Sequence, residues 1–344
     1  MTTQRVHRDE ETSKDGLVSI GTHNLYLSVR GPPRELPHNL NPVVIAISGL
    51  GAGLAYWAPV QRLLSSSVRF YCYDRSGLGR SELSTQIRTA ENMASELVRL
   101  LKAVNVKPPY VLIAHSYGSI IAREFLHLTQ SQSQGESIST FFSATPDPVV
   151  GTIFIEGSIE YGLIYHPFPM DSLRAITNGL DVTKVTGLAN IHKLTGDEWR
   201  AFIASTSQSK HEEVSAKEEW NIIPSARSLM SKKQLAIPPE VGPLDPFPVL
   251  VIKGNNSDDL QKIYEAAVAF GNGAEEDRTK VLQAKNILSE QDDKWQTQHF
   301  RLSGNHRAFA IGGTGHNPHM THPDVVVDAV SKLIEEAKTR LRTS

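Results

Sequence analysis

Cysteine is nearly missing from this 344-residue chain: Cys72 is the only one. A lone cysteine rules out an internal disulfide framework and fits a reducing compartment. It lies in the apolar run Val68-Arg69-Phe70-Tyr71-Cys72-Tyr73 and reads as a small buried strand residue. Long hydrophobic runs are missing too. No window reaches the length of a membrane span, and residues 1–16 carry no apolar signal-peptide core, so the expectation is a cytoplasmic protein. Nor is there an excess of charge of one sign. Lys and Arg number 35 against 37 Asp and Glu, giving a net charge of −2 and a pI near 6.7. A nucleic-acid binder needs a basic face, and with no long Lys/Arg block nucleic acid drops out as a partner. Internal repeats are not visible either. What is present, 40% hydrophobic and 21% charged, leaves room for a large core plus an inserted second layer.

Residues 1–15 are polar and predict a flexible N-terminal segment. Leu17–Ile20 and Leu25–Val29 read as two short strands around a turn at Gly21–Asn24. Val43-Val44-Ile45-Ala46-Ile47 is a continuous apolar run, the pattern of a strand buried on both faces. Helix and strand then alternate. Residues 55–66 lead to a strand at 68–73, and 90–104, with Met93, Leu97, Leu100, Leu101 and Val104 on one face, lead to Tyr110–Ala114. A helix at 117–128 and a Ser/Gln-rich surface loop at about 130–148 precede the strand Gly151–Ile155. Such alternation predicts an α/β fold: a mostly parallel sheet of about eight strands sandwiched by helices.

The rhythm breaks near residue 158. Up to about 245 there are helix signals and no clear strand, among them two S/T-x-x-E patterns, Thr195–Glu198 and Ser215–Glu218, each read as a capping box. Strands resume at Val249–Ile252 and Ala308–Ile311, with a helical stripe (Leu260, Ile263, Tyr264, Ala267, Val268) between them and a closing helix at 323–341. The organisation expected is a core of residues 16–157 and 246–344 with a helical lid, 158–245, inserted after the sixth strand.

Ala114-His115-Ser116-Tyr117-Gly118 follows a buried strand and opens a helix. A nucleophile elbow needs such a sharp turn, which lifts a serine above the sheet while small residues on either side let strand and helix pass closely. In this the chain resembles the α/β-hydrolase superfamily, whose elbow reads G-x-S-x-G; Ala114 departs from that pattern by one methyl group. Two further segments carry the resemblance. Ser48-Gly49-Leu50-Gly51 stands where the family keeps its glycine-rich turn, with Ser48 in place of the more usual histidine, so the bonds bracing this turn must differ. Asp74-Arg75-Ser76-Gly77-Leu78-Gly79-Arg80-Ser81 resembles the family's D-x-x-G-x-G-x-S segment and reads as structural; its glycine spacing is wrong for a dinucleotide fingerprint.

The resemblance implies roles. Ser116 is the nucleophile, and the N–H groups of Leu50 and Tyr117 form the oxyanion hole. Among 13 histidines, His316 ends the glycine-rich loop after the last strand, where the family keeps its catalytic base. His319 and His322 read as helix-entry polar residues. For the acid, the family's G-x-x-S-D form after a strand selects Asp258; Asp259 beside it reads as a helix cap, and Glu156, closing the preceding strand, is the alternative. A Ser/Asp/His set of this kind needs no metal or organic cofactor. It predicts hydrolysis of an ester, lactone or thioester of a small apolar molecule through an acyl-enzyme, and a serine elbow argues against the aspartate-nucleophile chemistry of dehalogenases and epoxide hydrolases. Lyase, acyl-transfer or carbon–carbon cleavage on the same residues, or a ligand-binding receptor of the same fold, are the alternatives. Aromatic and soft residues of the lid supply pocket candidates, chiefly Tyr165, Phe168 and Trp199. Oligomeric state leaves no mark in the sequence.

Overall fold

The computed structural model describes residues 12–34, 41–130, 141–142, 147–207, 209–236 and 242–343. Residues 1–11 and most of the Ser/Gln-rich loop lie outside that set. The strand β1 (Ser13–Ser19) reaches into the segment expected to be flexible and pairs antiparallel with β2 (Asn24–Arg30). In chain order there follow β3 (Val43–Ile47), α1 (Ala58–Leu64), β4 (Phe70–Tyr73), α2 (Ala90–Ala103), β5 (Tyr110–His115), α3 (Gly118–Gln130) and β6 (Val149–Ile155). Between β6 and β7 (Val249–Lys253) lie α4 (Glu160–Tyr165), α5 (Met170–Thr177), α6 (Val182–Thr186), α7 (Leu188–Ile191), α8 (Gly196–Thr206), α9 (Ser209–Trp220) and α10 (Ile222–Ser231). Then come α11 (Asn256–Phe270), α12 (Glu275–Gln296), β8 (His306–Ala310), α13 (Pro318–Thr321) and α14 (Pro323–Thr343).

The eight strands form one sheet in the order β1-β2-β4-β3-β5-β6-β7-β8, parallel from β4 onward. The period of two along each strand divides the core into two layers. Val43, Ile45 and Ile47 of β3, with Tyr110, Leu112 and Ala114 of β5, face α2 and α3. Val44, Ala46, Val111 and Ile113 face the opposite layer with α1 and α14. Both faces are covered, which is why these strands are apolar without alternation. Cys72 is a buried free thiol in β4, as the sequence reading has it.

Register brings the strand ends together. Ile47 pairs with Ala114, His115 with Ile155, Ile155 with Ile252, and Lys253 with Ala310. The residues just beyond β3, β5, β6, β7 and β8 therefore share one rim of the sheet, the crevice where open parallel sheets carry their ligand sites.

Of the two S/T-x-x-E patterns, only the first is a cap. Thr195 Oγ1 accepts from the Glu198 N–H and the Glu198 carboxylate accepts from the Thr195 N–H. Ser215–Glu218 lies inside α9, and Glu218 is fully buried. Among the described residues no helix is long and apolar enough to cross a membrane.

Candidate active site

Ser116 follows the last residue of β5 with φ = +52°, a left-handed conformation that costs a non-glycine residue about 1–2 kcal/mol. The surrounding bonds hold it there. Its carbonyl accepts from the N–H of Ser119 at 3.0 Å, the Ser119 hydroxyl at 2.6 Å and the Ser158 N–H at 3.1 Å. The small residues of the elbow have separate reasons. A Cβ on Gly118 would sit 2.5 Å from the Ile47 carbonyl oxygen, so only glycine lets α3 leave the elbow past β3. Ala114 is fully buried, its methyl filling space in the α2/α3 layer.

The Ser48–Gly51 turn lies against this elbow: a Cβ on Gly49 would be 3.1 Å from the Ser116 Cβ. Ser48, in the place of a histidine, braces the turn with its hydroxyl. That oxygen donates to the Gly53 carbonyl at 3.0 Å and accepts from the Trp57 indole N–H at 2.9 Å. Arg75 holds the turn from below, donating to the carbonyls of Ser48 (2.8 Å) and Gly49 (2.6 Å). Asp74 anchors the neighbouring loops by accepting from the N–H groups of Leu54 and Arg80, so the D-x-x-G-x-G-x-S segment is structural as expected. Within the described residues the N–H groups of Leu50 and Tyr117 have no acceptor, and both residues line the same cavity as Ser116.

His316 ends the loop after β8, partly exposed to the cavity. Its partner differs from the first sequence choice. Asp258 sits exposed in the first turn of α11, and no bond joins it to His316 within the described residues. Five residues past the end of β7, it has left the shared rim. Glu156, the alternative, is one residue past β6, at φ = +49°, with its Oε2 3.4 Å from His316 Nδ1. The other oxygen, Oε1, accepts from the Gly254 N–H at 2.6 Å and from Gln296 Nε2 at 3.2 Å, which fixes the carboxylate against the imidazole. Asp259, read as a cap, accepts from the His316 backbone N–H at 2.8 Å and ties the histidine loop to α11; burial raises its carboxyl above the usual aspartate range.

Histidines pack beneath this pair. His115 Nε2 donates to the His316 carbonyl at 2.8 Å, and burial, with the charges of His319 and His316, keeps the ring well below its ordinary pKa. His319 is fully buried against Trp57 and His115, and burial first, then the His316 charge, lowers it to about 3. It is a neutral packing residue.

The cavity above Ser116 measures about 630 Å³. Phe168 lines it; Tyr165 is exposed against Tyr161, and Trp199 packs on His192 and Phe202 away from it. One wall went unread in the sequence. Ala284, Ile287, Leu288, Asp292 and Trp295 reach the cavity from α12, at the three-to-four spacing of one helical face. Gly162 makes room for Trp295, since a Cβ there would be 3.2 Å from its ring. The signal was present as that stripe, diluted by the many charged residues on the rest of a 22-residue helix.

The pattern of the family described as "Alpha/beta hydrolase family" matches residues 44–329. An "AB hydrolase superfamily protein" of Gibberella zeae is 32% identical over 338 residues, 96% of this chain and 97% of that protein. A Hormonema carpetanum protein, "Probable transporter efuK", is 28% identical over 98% of the chain, which spans only 46% of it. Among solved structures, a thermophilic esterase from Thermogutta terrifontis superposes with a TM-score of 0.55 at 14% identity, over 94% of this chain and 99% of that one. The Cif epoxide hydrolase from Acinetobacter nosocomialis gives 0.59 at 13% identity, over 94% and 89%. Identities this low show a shared fold and do not choose between the two chemistries.

Proposed function

The chain belongs to the alpha/beta hydrolase family, and from that premise we propose that it is a serine hydrolase cleaving a carboxylic ester-like bond of a small apolar substrate. The observation that carries the reading is local. A serine held at positive φ shares one cavity with a histidine–carboxylate pair and with two N–H groups that have no acceptor among the described residues. Serine at the elbow, where an aspartate would serve epoxide opening, favours ester, lactone or thioester chemistry.

In this mechanism Ser116 Oγ attacks the substrate carbonyl carbon as His316 takes its proton. Glu156, not Asp258, fixes the imidazole tautomer and stabilises its charged form. The carbonyl oxygen becomes an oxyanion received by the N–H groups of Leu50 and Tyr117, each such donor being worth roughly 10²–10³ in kcat. His316 then protonates the leaving oxygen or sulfur. Water, activated by the same ring, attacks the acyl-enzyme, and collapse frees the acid and Ser116. Substrate choice falls to the cavity. Its volume is in the range of small-ligand sites, and a lid formed by residues 158–245, together with α12 of the core, supplies a mainly apolar wall. A cytoplasmic setting belongs to the same reading, in keeping with the one cysteine being a buried free thiol.

The test is Ser116→Ala. It should leave the thermal midpoint near that of wild type, end labelling by a fluorophosphonate probe, and lower p-nitrophenyl ester turnover by about 10³ or more. A variant that still turns over at the wild-type rate would remove the nucleophile from the scheme.

A further inference from the structure

The turn that carries the Leu50 N–H is gripped by a carboxylate from the β6–β7 insertion. Glu218, on α9, is fully buried. It accepts from Arg75 through both carboxylate oxygens, Nε at 2.9 Å and Nη2 at 2.7 Å, and from Arg88 at 3.3 Å. Its Oε2 also accepts from the Gly51 N–H at 3.0 Å. Burial alone would raise this carboxyl; the two arginines more than offset it and hold the group below the ordinary glutamate range.

Peptide geometry gives these bonds a consequence. A trans peptide is planar, so its C=O and N–H point in opposite directions. Arg75 holds the Gly49 carbonyl at 2.6 Å, and that carbonyl belongs to the peptide whose N–H is that of Leu50. Fixing one end of the plane aims the other. On the far side of Leu50, the next peptide is fixed by its Gly51 N–H on Glu218. Both planes flanking Leu50 are thus pinned, one by Glu218 directly and one by the arginine that Glu218 orients. The planar guanidinium makes the transmission stiff, because two of its nitrogens on one carboxylate leave the remaining one aimed at the Ser48 carbonyl. The helix itself lies on the turn: Gly51 has φ = +62°, and a Cβ there would be 2.5 Å from the Ser215 hydroxyl.

We propose that Glu218 is a positioning residue that aims the Leu50 N–H at the reacting carbonyl, so that docking of α9 on the core and completion of the oxyanion hole are one event. The inference rests on the serine-hydrolase reading. Coupling of this kind is reciprocal: whatever occupies the hole must also hold α9 down. A substrate-like ligand that leaves the hole empty has no such effect.

Glu218→Gln keeps the shape and one acceptor oxygen but removes the charge that orients Arg75. The expected result is a fall in kcat of about 10- to 100-fold with KM changed less than threefold, and affinity for an alkyl boronic acid reduced by the same factor as kcat. Glu124→Gln is the comparison. Glu124 is a buried acid whose partner, Lys232, follows α10, and it does not touch the turn; its loss should lower the melting midpoint and leave kcat near wild type. A second measurement uses wild type only. The boronic acid should slow backbone hydrogen exchange in residues 209–220, and an alkylbenzene, which fills the cavity but has no oxygen for the hole, should not. A folded Glu218→Gln enzyme with unchanged kcat, or equal exchange with both ligands, overturns the proposal while leaving Ser116 in place. Activity surviving Ser116→Ala overturns the reading beneath it.

Discussion

Asp292 offers a test in which stability, not rate, reports the layout of the site. It reaches the cavity from α12, and one amide, Gln296 Nε2, donates to it at 2.8 Å and to Glu156 at 3.2 Å. Burial first, then the Glu156 charge, pushes Asp292 from 3.8 up to about 6, against the opposing pull of the Gln296 bond, Lys253 and His316. The folded protein therefore binds the Asp292 proton more tightly than the unfolded chain. The stabilisation this gives is fully present below pH 4 and is lost as pH rises through about 6. At 1.36 kcal/mol for each tenfold change in proton affinity, the rise from 3.8 to about 6 corresponds to about 3 kcal/mol, and partial exposure of the group reduces this to roughly 1–2 kcal/mol. Asp292→Asn keeps an acceptor for Gln296 and removes the charge. Urea unfolding at half-unit steps from pH 4.5 to 8 should show a variant whose advantage is smallest at the acid end, grows to about pH 6.5 and is then constant. An advantage equal at every pH would mean that the charge on Asp292 is not what the fold opposes.

The acid assignment is tested by a pair. Glu156→Gln should lower kcat by about 10²–10⁴ with the fold intact, whereas Asp258→Asn, at an exposed position, should stay within about twofold of wild type; the reverse order would restore Asp258. The elbow is tested by Gly118→Ala. The new Cβ would lie 2.5 Å from the Ile47 carbonyl and 2.7 Å from that of Ser48, so a backbone shift must follow. Differential scanning calorimetry should show a loss of about 1–3 kcal/mol, with esterase activity falling further than stability because the Ser48–Gly51 turn is what has to move. A variant as stable and as active as wild type would refute the close approach.

The parts of this molecule that were legible before its structure are those whose cause is local. Period two against period 3.6 gave the alternating strands and helices, and unbroken apolar runs such as Val43–Ile47 marked strands covered on both faces. The elbow, the Ser48–Gly51 turn and the Gly315-His316 ending were legible because each is a strand end followed by a turn that small residues make possible. The carboxylate that stands beside His316 was legible only as the alternative to Asp258, and the physical reason is register. Asp258 and Glu156 both follow a buried strand, but Glu156 is one residue past β6 and stays on the shared rim, while Asp258 is carried off it by the first turn of α11.

Glu218 shows the same limit more sharply. Thr195–Glu198 and Ser215–Glu218 share the S/T-x-x-E spacing, yet one begins a helix and the other is inside one. The residues between differ, Gly-Asp against Ala-Lys, but the spacing alone reads both as a cap. The partner that the pattern does not reveal is Arg75, 143 positions earlier, whose buried charge is met by Glu218 where α9 crosses the Ser48–Gly51 turn. A helix entered at Ser215 would leave Glu218 in its solvent-facing first turn and Arg75 without a counter-charge. The continuation of α9 through Ser215 therefore places the counter-charge of Arg75 at the Ser48–Gly51 turn, and residues that hold Ser116's neighbours are found by following buried charge as well as motif.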